Sequence, residues 1–263
     1  MKVSFIICYS STWPMTVFDK KSHPEANKEL DKKILEQTNR LIKQILGFTN
    51  LNKEIILIDN SNDFVTDINS EHLFVIKGAE VNEDNNQAKI TAEAYDIGIK
   101  RAKGTHIVIQ HNDTQYLTDY YPPDELFVDL LKTLDDFRLE YITVDTKPSK
   151  SANQEENFYA DCYWFLCRAD FYTKHDIKVG HLKGDNNHDA TITCIKKNLN
   201  FLHLPGYYEI GLDMNHRINL RRNYPGLGKS SGNIHTLFNI PFLYHYKGGT
   251  GLGNLIHKHD IIY

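Results

Sequence analysis

The chain is poor in cysteine, with four in 263 residues. Cys8, Cys162, Cys167 and Cys194 lie in apolar segments without a paired metal-binding spacing. This excludes a disulfide-stapled scaffold and a thiolate zinc module, and the four read as reduced core residues of a cytoplasmic protein. Long apolar runs are also missing, so no membrane span is expected. The opening Val3-Ser4-Phe5-Ile6-Ile7-Cys8 is too short for a signal peptide and lacks a small-residue cleavage site. Charge of one sign is lacking too. Thirty Lys and Arg against 34 Asp and Glu leave a net charge of −4, so no positive field draws the chain to nucleic acid or anionic lipid. There is no internal repeat and no low-complexity tract. The 41% hydrophobic content instead supports one folded unit with a sizeable core.

The first half alternates strand and helix patterns. Val3–Tyr9 is a continuous apolar run, as in a strand buried on both faces. Leu30, Ile34, Leu41, Ile45 and Leu46 then form one helical stripe, with Gly47 as its stop. Glu54–Ile58 and Leu73–Ile76 read as strands. A helix is expected from Gln87 to Lys103, with Gly104 at its C-terminal cap, and His106–Gln110 as the next strand. This is a parallel βαβ series, which predicts an open, doubly wound α/β sheet. In the second half, Pro122-Pro123-Asp124 opens a helix with Leu126, Leu130, Leu134 and Phe137 on one side. Tyr141–Val144, Tyr159–Cys167 and Asn200–Leu204 read as strands, and Asp189–Asn198 as a short helix. From Asp213 onward the richness in His, Arg and Gly predicts loops over a site rather than core. The expected organisation is a single domain over 1–263, with a ligand-binding half at 1–115 and an acceptor half with C-terminal loops at 116–263.

Open parallel sheets bind ligands outside the carboxyl ends of their strands. Three such ends carry polar residues here: Ser10-Ser11-Thr12, Asp59, and His111-Asn112-Asp113. None is a glycine-rich dinucleotide loop. Carboxylates after two different strands suit a nucleotide, with Asp59 at its ring and ribose and Asp113 holding a cation at its diphosphate. Such a hard divalent ion takes oxygen ligands. As turn residues, both aspartates also have an ordinary structural use.

The stretch Tyr95-Asp96-Ile97-Gly98-Ile99-Lys100-Arg101-Ala102-Lys103-Gly104-Thr105-His106-Ile107-Val108-Ile109-Gln110-His111-Asn112-Asp113 resembles the helix–strand–DxD segment of GT-A glycosyltransferases, especially the family 2 type. Ile58-Asp59-Asn60-Ser61-Asn62-Asp63 is similar to their acidic turn after the second strand, and Val3-Ser4-Phe5-Ile6-Ile7 to their first strand. The resemblance covers roughly the first 115 residues well and the remainder loosely.

It implies a GT-A (Rossmann-like) fold with a mostly parallel sheet. It also implies a UDP- or GDP-sugar donor, a Mn²⁺ or Mg²⁺ cofactor, and transfer of a sugar to a hydroxyl of a glycan or other acceptor. The implied activity is of the hexosyltransferase type. The glycine- and lysine-rich loop after the first strand, usual in nucleotidyltransferases, is absent from Tyr9-Ser10-Ser11-Thr12-Trp13, which counts against that class.

By that match the transfer is inverting, Asp59 with Ser10 and Asn112 would meet the nucleotide, and Asp113 would be the metal-binding last residue of the DxD. His111 stands where the family has the first Asp, and Asp96 where it often has Asn. A carboxylate at the start of a short helix before a strand ending in Pro would deprotonate the acceptor. Asp189 in His188-Asp189 fits that place, with Asp185 as the alternative, ahead of Leu202-His203-Leu204-Pro205. Either residue also suits a plain helix N-cap. A C-terminal histidine that meets metal or diphosphate has candidates in His216, His235 and His245. His245 is the best placed, in Tyr244-His245-Tyr246-Lys247-Gly248-Gly249, where Lys247 is a phosphate-binding candidate. Two other readings stay open: a catalytically inactive nucleotide-sugar or glycan-binding protein on the same fold, and a nucleotidyltransferase. Tyr163 and Trp164 read as core.

Overall fold

The computed structural model describes residues 1–10, 24–61, 63–78, 87–144, 163–179, 188–204, 206–208, 233–238 and 240–245. In chain order the elements are β1 (Lys2–Tyr9), α1 (Pro24–Leu46), β2 (Asn52–Asp59), β3 (Leu73–Lys77), α2 (Gln87–Arg101), β4 (His106–His111) and β5 (Thr114–Tyr116). They continue with α3 (Pro123–Asp136), β6 (Tyr141–Val144), β7 (Trp164–Arg168), α4 (Phe171–His175), α5 (His188–Lys196), β8 (Leu202–Leu204), β9 (Gly206–Tyr208), β10 (Asn233–Leu237) and β11 (Ile240–His245). No helix among the described residues is long and apolar enough to cross a membrane.

Seven strands form the main sheet in the order β3-β2-β1-β4-β7-β6-β8. The pairs β1–β2, β1–β4, β2–β3 and β6–β8 are parallel, and only β7 runs against its two neighbours. This is the mostly parallel, doubly wound α/β sheet expected from the βαβ series. Alternation along the strands explains the two covered faces. Phe5, Ile7, Leu57 and Val108 pack with Ile34, Leu41 and Ile45 of α1 and with Leu126, Phe127 and Leu130 of α3. Ile6, Ile107 and Ile109 point the other way, onto Ala92 and Tyr95 of α2 and Ala190 and Cys194 of α5. The chain returns from β3 to β4 on the far side of β1, so the strand order reverses between β1 and β4. Crevices form at such a reversal.

The two edges of the sheet differ in their polar chemistry. At the amino edge the buried Glu54 carboxylate is fully engaged. Its Oε1 accepts from Ser4 Oγ and the Lys103 backbone N–H, each at 2.6 Å, and its Oε2 from Lys2 Nζ at 2.6 Å. Burial pushes its pKa up, but these donors outweigh burial and hold the carboxyl below its ordinary range.

Gly104 does not cap α2, which ends at Arg101. Gly104 lies where a side chain would meet Ser4 and Lys2, a Cβ there coming within 2.6 Å of Ser4 Oγ, so the requirement is close approach of backbone. The stretch beyond Asp213 is also not all loop. Its β10 and β11 form a second, antiparallel sheet of order β5-β11-β10-β9, with Ile234, Leu237, Phe242, Leu243 and Tyr244 buried. Short apolar runs set among His, Gly and Pro concealed these strands. Pro241 is tolerated because it faces the register shift between His235 and Thr236. The expected strand Tyr159–Cys167 begins at Trp164, with 159–162 outside the described residues.

Candidate metal and nucleotide site

Strand β4 ends at the reversal point, beside the end of β1, where His111 is the register partner of Cys8. The chain then turns tightly into β5. Thr114 Oγ1 donates to the His111 carbonyl at 2.7 Å, and Asn112 Nδ2 donates to Thr38 Oγ1 of α1 at 3.1 Å. The turn therefore commits Asn112 to α1. The second sheet supplies the third residue, because β11 pairs with β5 so that His245 lies opposite Thr114.

His111, Asp113 and His245 come together there, each able to offer one ligand atom, all within 4.8 Å of one another. Asp113 Oδ2 lies 3.5 Å from His245 Nε2, and Oδ1 lies 3.8 Å from His111 Nδ1. Burial pushes the Asp113 pKa up, but the His245 and His111 imidazoles outweigh it and hold the carboxyl below its ordinary range. Asp113 Oδ1 is buried without a hydrogen-bond partner among the described residues. A buried carboxylate oxygen left in that state is costly, and a cation would relieve the cost. The His111 side chain keeps 30% of its surface exposed, which leaves a way in. Two imidazole nitrogens and a carboxylate oxygen form a donor set that fits a divalent metal ion.

The two imidazole rings of the cluster are themselves held. Tyr163 stacks on His245 with ring centres 3.9 Å apart and planes 12° from parallel, and its hydroxyl is 3.0 Å from His235 Nε2. His235 is thus a partner of Tyr163 and fully buried. Tyr95 of α2 lies parallel to His111 at 6.4 Å. The core reading of Tyr163 and Trp164 holds, since both are buried. The role of Tyr163 beside the cluster was missed, because only the fold of β11 brings His245 to it.

Asp59, at the end of β2, accepts the backbone N–H of Ser61 on Oδ1 and that of Phe64 on Oδ2, each at 3.0 Å. It therefore shapes the acidic turn in the structural manner open to it from sequence. Ser10 is joined to this turn through Ser61 Oγ at 3.3 Å. Asp189 is half-buried in the first turn of α5. Thr191, two residues on, is tied to Tyr141 Oη at 2.9 Å, which anchors that turn to β6. Asp185, His216 and Lys247 lie outside the described residues. Cys8 is no ligand candidate: burial, with Asp59 adding, pushes its thiol up to about 12.

No protein-family model matches the chain, and no curated protein matches it by sequence. Among solved structures it is similar to TarS of S. aureus in complex with UDP-GlcNAc, at 12% identity and a TM-score of 0.39 over 73% of this chain and 53% of that one. It is similar to the mannosyltransferase PcManGT of Pyrobaculum calidifontis in complex with GDP-Man and Mn²⁺, at 14% identity and a TM-score of 0.42 over 77% and 54%. A third is the catalytic domain of Drosophila β1,4-galactosyltransferase 7 in complex with xylobiose, at 10% identity and a TM-score of 0.40 over 77% and 64%. The chain spans about half the length of the first two.

Proposed function

We propose that this chain is a glycosyltransferase that moves a hexose from a UDP- or GDP-sugar to an acceptor hydroxyl with inversion. The observation that carries the reading is the His111–Asp113–His245 cluster, at the carboxyl edge of the parallel sheet and at its reversal point. His111, Asp113 and His245 would hold a Mn²⁺ or Mg²⁺ ion, whose positive charge would favour departure of a nucleoside diphosphate. Asp59 and Ser10, on the neighbouring strand ends, line the place of the nucleoside, and Lys247 serves the phosphates. Asp189, or Asp185 before it, accepts the proton of the acceptor hydroxyl. The acceptor oxygen then bonds the anomeric carbon as that carbon's bond to the diphosphate oxygen breaks. In this reading the two halves of the chain act as one domain in the cytoplasm.

The test is turnover and donor affinity of Asp189→Asn and Asp185→Asn, made separately. One of them should lose turnover by about 10²–10⁴-fold while keeping donor affinity. A wild-type chain that binds a nucleotide sugar but turns over none, with any acceptor, would instead be a binding protein.

A further inference from the structure

We propose that β3 is the docking strand for a second copy of this chain, which adds its own β3 antiparallel across a two-fold axis at Phe74. The inference concerns assembly and is independent of sugar transfer. β3 ends the main sheet, and among the described residues no strand pairs with its outer side. Whereas β1 and β2 are buried almost throughout, Phe74 and Val75 of β3 keep 44% and 48% of their surface exposed. Phe74 shares the α2 face with its register partner Ile56, and Val75 stands on the α1 face beside Leu57. A regular, apolar outer strand of this kind is a template for another strand.

The backbone limits the registers such a pair can take. The Ile55 N–H donates to the His72 carbonyl at 2.7 Å, and the Gly78 N–H to the Asp59 carbonyl at 2.8 Å. The parallel register between these points is regular, so the N–H and C=O of Phe74 and Ile76 also turn to β2. Those of Leu73, Val75 and Lys77 then point outward. Two identical strands pairing antiparallel through these groups must set odd-numbered residues opposite odd-numbered ones. One such register places Phe74 against its own copy at the axis, Leu73 opposite Val75, and Glu71 opposite Lys77. Charge selects it. The exposed Glu71 carboxylate meets the Lys77 ammonium twice per dimer, whereas a shift of two residues either way takes both pairs out of opposition. The contact is isologous, as a closed dimer requires. Because the paired strands are antiparallel, the carboxyl edges of the two sheets face opposite ways.

The experiment is sedimentation equilibrium of the tag-free full chain, with circular dichroism to show that each variant is folded. The wild type should show a monomer–dimer equilibrium at or below about 100 μM protein. Val75→Pro removes an outward N–H while sparing the ladder to β2, and should leave the chain monomeric. Lys77→Glu, at an exposed position, should weaken association by about tenfold, and adding Glu71→Lys to it should restore the dimer. On oxidation Phe74→Cys, with its Cα about 4.5 Å from that of its own copy, should form an intermolecular disulfide, and Val75→Cys should not. A wild type that stays monomeric at about 100 μM overturns the inference. So does a dimer that a folded Val75→Pro variant retains, or a double charge variant no tighter than Lys77→Glu alone. A disulfide in Val75→Cys without one in Phe74→Cys overturns it as well.

Discussion

The amino and carboxyl edges of the main sheet each bury a carboxylate, and they treat it in opposite ways. At the amino edge Glu54 has three donors, from Lys2, Ser4 and Lys103, and stitches β1 and β2 to the end of α2. At the carboxyl edge Asp113 faces two imidazoles beyond ordinary hydrogen-bond length and keeps one oxygen without a partner among the described residues. A satisfied buried charge fixes the fold. One held in place but left incomplete is where a cation would be favourable. Under the proposed function, the contrast would separate stability from function along a single sheet.

The sharpest way to break that contrast is Asp113→Asn. Metal affinity should fall by about 100-fold or more, with little change in the unfolding midpoint, both read by calorimetry. Glu54→Gln should do the reverse, destabilising the fold by about 2–3 kcal/mol in denaturant titration while leaving metal affinity unchanged. The pH dependence follows from the same residue. Its folded pKa lies below the ordinary 4.5, so its stabilisation is present above that value and is lost as pH falls through the depressed one. The gap in stability between wild type and Glu54→Gln should therefore narrow on acidification below 4.5. A gap that stays constant with pH would remove Glu54 from the account. Tyr163→Ala should weaken metal binding by about tenfold, whereas Tyr163→Phe, which keeps the stack on His245, should cost only about 1 kcal/mol of stability. Equal metal affinities in the two variants would show that the stacking is unimportant.

The main sheet was legible because its strands are continuous apolar runs set between amphipathic helices. Tyr141–Val144 is found at the bounds expected from its apolar run. The ends of those strands named Asp59, His111 and Asp113 by position alone. The second sheet was not legible. Its strands β5 and β11 lie more than a hundred residues apart, and the register that sets His245 opposite Thr114 is a tertiary fact. His245 was reachable through the family resemblance, but its stacking partner Tyr163 was not. Local pattern registers burial, and burial is the same whether the neighbour is a leucine or the imidazole of a candidate metal cluster.

Under the proposed function, Asp113 and its two histidines make a cation-dependent site for a nucleoside diphosphate. Calorimetric titration of UDP and GDP, each with and without Mn²⁺, tests it most directly. One of them should bind, and removing Mn²⁺ should abolish the binding. No binding of either nucleotide, or binding of equal strength without the ion, would contradict it.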